Sequence, residues 1–139
     1  MKKIIVSLLI VSLILTGCNK DALSCTNTST NIGKNIETKL IVTFKKDKVS
    51  KIVTNITTTY EQDFLSELEA NYQGFNETFK EQDKLDGVKT KLIKKDNMLE
   101  VELEYDMTKE KSKNNSGFAQ YETKEEYNKF LVKRGYTCN

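Results

Sequence analysis

The chain has 139 residues, with 22 lysines and arginines, 20 aspartates and glutamates, and no histidine. The formal charge of +2 is spread over interspersed lysines and glutamates, a pattern typical of a solvated surface, and it argues against nucleic acid as a partner. The length suits one ordinary domain, and the missing histidine removes the commonest general base and metal ligand.

Residues 1–17 have the layout of a secretory signal peptide. Lys2 and Lys3 supply the charged start, and an uncharged, mostly apolar run from Ile4 to Leu15 follows. A helix that spans a bilayer needs about 20 apolar residues, so this run is too short for a permanent span. We therefore predict that residues 1–17 are removed, which takes away both lysines and leaves a formally neutral mature chain.

The sequence Leu15-Thr16-Gly17-Cys18 resembles the lipobox of bacterial lipoproteins. The resemblance implies that Cys18 becomes the first residue and carries fatty acids such as palmitate. Two or more acyl chains give stable membrane anchoring, whereas a single myristoyl chain binds only marginally. We predict a protein held by lipid on the extracytoplasmic face of the cell membrane. The alternative is a secreted protein whose cysteine lies at this position by accident.

The mature chain is predicted to begin with a short tether. Residues 18–35 comprise the lipidated cysteine and a polar stretch rich in Asn, Ser and Thr, and residues 36–139 form the single domain. An edge strand over residues 24–30 is an alternative, although the apolar content of this stretch is low.

Residues 36–45 and 49–58 have the alternating, β-branched pattern of two strands joined by a turn at residues 46–48. We predict a hairpin whose core face carries Leu40, Val42, Phe44, Val49 and Val53. The opposite face is predicted to carry Ile41, Ile52 and Ile56.

A helix is predicted to follow this hairpin. Thr59 stands three residues before Gln62, which is the spacing of a capping box at a helix start. Large apolar side chains then recur at steps of three or four, as on the buried face of a helix. They are Phe64, Leu68, Tyr72, Phe75 and Phe79.

A second hairpin is predicted around a two-residue turn at Asp96-Asn97. This turn places Lys91 opposite Glu102 and Lys89 opposite Glu104. A slip of one residue would bury the glutamates of the second strand, so the register should be firm. We interpret the lysine–glutamate pairs as cross-strand ion pairs on a wet face rather than as a catalytic site.

The last third of the chain contains an irregular segment and a terminal helix. Residues 107–121 lack a sustained period, and we predict a long excursion with one helical turn at its start, the kind of segment in which function often lies. Thr123 and Glu126 then form a second capping-box pattern, and the helix that it opens is predicted to stop at Gly135.

Lipidation of Cys18 would leave Cys25 and Cys138 as an even pair in an oxidising compartment, which favours a structural disulfide. Two free thiols are the alternative. A redox pair or a metal site is disfavoured, because neither histidine nor a third free thiol is available as a ligand.

The sequence contains no phosphate-binding glycine loop, no nucleophile–histidine arrangement and no metal-ligand motif, so neither catalytic residues nor a cofactor are predicted. The lipobox, the two hairpins, the aromatic helix and the closing Gly135-Tyr136-Thr137-Cys138 together resemble the small lipoproteins of the YehR-like group. The resemblance implies an extracytoplasmic α+β domain of unknown function, with no family site residues to carry over.

We therefore predict an α+β fold with an antiparallel sheet of four or five strands in ββαββα order and helices packed on the sheet. The predicted function is a non-enzymatic module, anchored to the membrane by lipid, that binds a small ligand or an envelope protein. Two alternatives stay open, a histidine-free enzyme that uses carboxylate, Lys or Tyr chemistry and a passive structural lipoprotein of the envelope. The ligand-binding residues are unknown from the sequence.

Overall fold

A computed structural model describes residues 21–139, and it places them in one six-stranded antiparallel sheet with helices on one face. The strands are β1 (Ala22–Asn31), β2 (Lys34–Lys45), β3 (Lys48–Tyr60), β4 (Val88–Lys94), β5 (Met98–Asp106) and β6 (Thr137–Cys138). The helices are α1 (Leu65–Gln82), preceded by a 3₁₀ turn (Gln62–Phe64), α2 (Glu110–Asn115) and α3 (Lys124–Lys133). The predicted signal peptide and Cys18 lie outside the described residues.

The prediction of a four- or five-stranded sheet in ββαββα order is wrong. The strands lie in the order β4-β5-β3-β2-β1-β6, and three strands precede the first helix. Ten residues of the predicted polar tether form β1, which pairs with β2 along its whole length. The alternative of a strand over residues 24–30 is therefore the correct one. Backbone pairing satisfies the N–H and C=O groups whatever the side chains are, so a polar strand shows little apolar alternation.

A β-bulge reverses the predicted face of β3. Phe44 pairs with Val49, but Thr43 pairs with Lys51, so Ser50 is an extra residue on β3. Its hydroxyl donates a hydrogen bond to the Thr43 carbonyl oxygen (3.1 Å). The extra residue moves every following side chain to the opposite face. The core face of β3 therefore carries Ile52 and Ile56, and Val53 lies on the other face.

The core face is marked by a row of buried side chains that crosses five strands. Each side chain is the cross-strand partner of the next: Leu23 in β1, Val42 in β2, Ile52 in β3, Tyr105 in β5 and Val88 in β4. On this face, α1 packs near β4 and β5, and α3 packs near β1. The sheet thus holds both helices on one side, and the β2–β3 turn projects from one end.

The second hairpin has the predicted register. Lys91 pairs with Glu102 and Lys89 with Glu104, and the Lys89 ammonium lies 3.6 Å from the Glu104 carboxylate. The strict alternation of β5 fixes this register, since Leu99 and Val101 are buried on the core face.

The predicted capping box at Thr59 is wrong. Thr59 still belongs to β3, where it pairs with Asn35 on one side and Met98 on the other. Its backbone is therefore held by the sheet, and α1 begins only at Leu65, after the 3₁₀ turn. The aromatic stripe itself faces the core as predicted, with Phe79 buried.

The segment before the last helix contains α2, which agrees with the predicted helical turn, and Phe118 and Tyr121 pack against the core. The capping box at the start of α3 is confirmed. The Glu126 N–H donates to the Thr123 hydroxyl, and the Thr123 N–H donates to the Glu126 carboxylate.

Substitution by alanine should change the free energy of unfolding in opposite directions at Gly33 and at Gly74. Gly33 has φ +76°, and an added Cβ would collide with the Phe64 ring. We expect Gly33→Ala to lower the free energy of unfolding by about 2–3 kcal/mol. Gly74 lies in α1 with open space around it, so Gly74→Ala should raise that free energy by about 0.5–1 kcal/mol. Urea unfolding measures both, and a loss at Gly74 as large as at Gly33 would contradict this account.

Candidate functional site

A groove of about 530 Å³ lies at the end of the sheet where β2 turns into β3. The β2–β3 turn forms one wall of the groove. The other wall consists of the residues that follow β5, of α2 and of Glu122. Val49 and Met107 are apolar lining residues. The charged lining residues are Lys45, Lys46, Lys48, Lys113 and Glu122. We call this cavity the lysine groove.

The backbone of the turn positions the first three lysines. Lys46 and Asp47 both have positive φ, 53° and 63°, as in the tight turns that match the twist of a hairpin. Lys45 and Lys48 pair across the ends of this turn. All four residues of the turn are exposed, so their charged side chains are accessible from solvent.

Backbone hydrogen bonds hold the two walls together. The Val49 N–H donates to the Glu122 carbonyl oxygen (3.0 Å), and the Met107 N–H donates to the Ser50 carbonyl oxygen (2.9 Å). These bonds join β3 to residues that are distant in sequence, on both sides of α2. The groove is therefore built on the sheet rather than on a free loop.

The lysine groove is cationic. Within residues 21–139, Lys45, Lys46 and Lys48 have no ion-pair partner, whereas the Lys113 ammonium lies 3.6 Å from the Glu122 carboxylate. Four ammonium groups thus share the groove with one carboxylate. Ammonium groups beside apolar side chains suit a ligand that carries an anionic group next to a hydrocarbon portion.

Asp106 ends β5 beside the groove, and it is a local structural anchor. Its carboxylate accepts hydrogen bonds from the Thr108 hydroxyl (2.6 Å) and the Thr108 N–H (2.9 Å). The hydroxyl bond is the main reason that the pKa of Asp106 lies below its ordinary value, with smaller contributions from the backbone bond and from Lys109 and Lys51. The carboxylate thereby orients the chain as it enters the groove wall.

This lowered pKa predicts a loss of stability in acid. The Asp106 carboxylate contributes stability above the ordinary carboxyl pKa, and the contribution disappears as the pH falls through the lower folded-state pKa. We expect Thr108→Val to reduce the difference in unfolding free energy between neutral and acidic pH. Thr26→Val, at an exposed position of β1, is the matched control. Equal acid sensitivity of the two variants would exclude this role for Asp106.

The other carboxyls with displaced pKa values also have structural partners. Hydrogen bonds from Lys94 and Gln73 lower the pKa of Glu69, and the backbone N–H groups of residues 122 and 123 lower the pKa of Glu126. A carboxyl that acts as a general acid near neutral pH needs a raised pKa instead. The clearly displaced carboxyls therefore belong to ion pairs and a helix cap.

The structure joins Cys25 and Cys138 in a disulfide, as the cysteine count predicts, and the two residues are direct cross-strand partners in β1 and β6. Cys25 is fully buried. Among residues 21–139 no set of three or more acidic or cysteine side chains is placed to hold a metal ion. Within the same residues, no helix has both the length and the apolar character that crossing a bilayer requires.

Sequence reasoning missed the lysine groove. The pattern predicts only a turn at Lys46-Asp47-Lys48 and leaves the role of residues 107–121 open. Two signals were present, a turn with three lysines in four residues and a long segment that carries a further lysine, Lys113. Only the fold brings these distant parts of the sequence to one cavity.

No family model, no curated protein and no solved structure matches this chain. The resemblance to YehR-like lipoproteins therefore stays a prediction.

Proposed function

We propose that this protein is a lipid-anchored extracytoplasmic module that binds an anionic partner or ligand through the lysine groove, without catalysing a reaction. The groove carries the proposal, because it combines apolar lining residues with four ammonium groups on a backbone held by the sheet. The lipobox-like sequence that ends at Cys18 supports the proposed lipid anchor.

Binding is favoured over catalysis by the chemistry of the groove. Its polar side chains are lysines, one carboxylate and the hydroxyls of Ser50 and Thr108. Ser50 hydrogen-bonds the Thr43 carbonyl oxygen, and Thr108 hydrogen-bonds Asp106, so both hydroxyls already have structural partners. The lysines are suited to neutralising charge on a bound group.

The anchor is tested on the full chain expressed in a bacterial host. Mass spectrometry of the membrane fraction should find a mature protein that begins at Cys18 and carries acyl chains. The variant Cys18→Ser should lose both the acyl mass and the membrane association. A native protein that retains Met1, or that stays in buffer without fatty acid, would contradict the anchor.

The groove is tested by photocrosslinking in intact cells. A photoreactive amino acid at position 108 lies in the groove, and the same residue at position 26 provides an exposed control on β1. We expect at least several-fold more adduct from position 108, and mass spectrometry identifies the adduct. Similar adduct yields at both positions would exclude the groove as the binding surface.

A further inference from the structure

We propose that the lysine groove binds the phosphate groups of anionic phospholipids in the membrane that anchors the chain. The domain would then rest with its β2–β3 turn against the bilayer. This inference rests on the proposed acylation of Cys18, and it names the ligand of the groove.

The first described residue, Asp21, lies at the end of the sheet that carries the lysine groove. The carbonyl oxygen of Asp21 accepts a hydrogen bond from the Phe44 N–H at 2.7 Å. Phe44 directly precedes Lys45, the first lysine of the groove. The N-terminal segment therefore reaches the sheet at the same end as the β2–β3 turn.

The chain between the anchor and the sheet is short. Cys18 precedes Asp21 by three residues, and an extended chain spans at most about 3.6 Å per residue, or roughly 11 Å in all. The headgroup layer on each side of a bilayer is about 5–7 Å thick. An acylated Cys18 would therefore hold this end of the sheet at or close to the headgroups.

The opposite end of the sheet is far from this anchor. β2 runs for 12 residues from Lys34 to Lys45, and a strand rises about 3.3 Å per residue, so its two ends are roughly 36 Å apart. Lys34 and Lys95 lie toward the far end, since Lys95 adjoins the β4–β5 turn and Asn97 hydrogen-bonds Tyr60 at the end of β3. These two lysines provide controls within the same molecule.

The charge of the groove matches an anionic lipid surface. Its lining has four lysines against Glu122 alone. Asp21, Asp47 and Glu125 lie at the same end of the sheet but line a neighbouring cavity, together with Lys124. Lysines near an anionic membrane are attracted to it, and the attraction falls off within a Debye length of about 8–10 Å. The connection spans at most roughly 11 Å, so the groove can approach the surface to about that distance.

Phospholipid is favoured over a free anion or an acidic protein because of effective concentration. A group tethered within roughly 11 Å of a surface meets the groups of that surface at high local concentration. A soluble anion has no such advantage. The apolar lining residues Val49 and Met107 also suit a phosphate that is joined to glycerol and hydrocarbon.

The test uses the acylated full chain in vesicles of phosphatidylcholine, with or without phosphatidylglycerol. A membrane-impermeant acylating reagent labels exposed lysines, and mass spectrometry gives the labelling rate at each position. In anionic vesicles we expect several-fold slower labelling of the four groove lysines, at positions 45, 46, 48 and 113. Lys34 and Lys95 should be labelled at the same rate in both vesicles, and high salt should abolish the difference.

A charge variant supplies the second arm. Lys45→Gln, Lys46→Gln and Lys48→Gln together should leave Lys113 labelled equally fast in both vesicles. The matched variant Lys80→Gln, Lys91→Gln and Lys129→Gln removes the same charge from exposed positions outside the groove and should keep the protection. Equal unfolding curves for the two variants exclude misfolding as the cause.

The outcomes separate the two proposals. A protein that fails to float with neutral vesicles has no anchor, and the proposed function fails. An anchored protein whose groove lysines react equally fast in both vesicles overturns the lipid inference alone. Protection of these lysines by inorganic phosphate in neutral vesicles, or crosslinking of position 108 to a protein rather than a lipid, would also overturn it.

Discussion

Removal of the disulfide between Cys25 and Cys138 is expected to lower the free energy of unfolding by about 4–5 kcal/mol, because the bridge restricts the unfolded chain. The two cysteines are 113 residues apart in sequence, so the closed loop contains almost the whole domain. Domains of this size have a total stability of about 5–15 kcal/mol, so the loss would take up a large part of it.

The bridge also holds β6 in the sheet. β6 pairs with β1 only through residues 25–26 and 137–138, extended by hydrogen bonds between Ser24 and Asn139. A two-residue strand has little stability of its own. Without the bridge we expect rapid amide exchange in β6, while the ladder between β1 and β2 stays protected.

The measurement is urea unfolding of the double variant Cys25→Ala, Cys138→Ala. The control is the unmodified protein after reduction and thiol blocking, which loses the bond but keeps the cysteine side chains. The two should be destabilised by similar amounts, with a larger loss in the Ala variant because Cys25 is fully buried. If both samples stay within about 1 kcal/mol of the oxidised protein, the chain-entropy account fails.

Local sequence determines one hairpin almost completely and the other only in part. In the β4–β5 hairpin, alternation along β5 and the short turn each fix the same register, so the pairing follows from residues that are close in sequence. In the β2–β3 hairpin, the alternating pattern predicts both strands, but the extra residue at Ser50 reverses the face of every side chain beyond it. This bulge is set by pairing geometry, and Ser50 is not a residue type that marks a bulge.

The side chains of β1 predict it only as an alternative, an edge strand over residues 24–30, whereas the strand extends over Ala22–Asn31. Leu23 and Cys25 are its only buried residues, and all the others except the half-buried Ala22 are polar. The strand forms because the neighbouring edge of β2 offers twelve residues of backbone to pair with, and because Cys138 holds its outer edge. Both reasons lie in tertiary structure, which periodicity does not capture.

The candidate site depended on tertiary structure in the same way. The turn lysines and Lys113 are more than sixty residues apart in sequence, and either group alone is typical of an ordinary solvated surface. The short path from Cys18 to Asp21 was also hidden, because the predicted tether ended at residue 35. Because β1 belongs to the sheet, the predicted anchor is expected near the end of the sheet that carries the groove.

Truncation of Tyr127 should remove the aromatic packing that holds α3 and the groove wall on the sheet. Tyr127 is fully buried, and its ring centroid lies 5.9 Å from that of Phe44, 6.0 Å from that of Phe118 and 5.7 Å from that of Tyr121. We expect Tyr127→Ala to lower the free energy of unfolding by about 3–5 kcal/mol, from lost burial and the cavity left behind. Urea unfolding at neutral pH measures this loss.

Tyr127→Phe is the matched control, because it keeps the ring. The Tyr127 hydroxyl donates only a long hydrogen bond, 3.4 Å, to the Phe118 carbonyl oxygen, so its removal should cost less than about 1 kcal/mol at neutral pH. The two variants therefore separate ring packing from the hydroxyl. A loss from Tyr127→Phe as large as that from Tyr127→Ala would place the stabilisation in the hydroxyl instead.

Alkaline pH should destabilise the unmodified protein more than Tyr127→Phe. Burial raises the pKa of Tyr127 above its ordinary value, because a phenolate in the core would lose its solvation. The neutral phenol thus contributes stability below the unfolded-state pKa of about 10, and this contribution falls as the pH rises toward the folded-state pKa. The unmodified protein should therefore lose more stability than Tyr127→Phe above about pH 10. Parallel losses in the two proteins would mean that Tyr127 ionises as readily in the folded state as in the unfolded one.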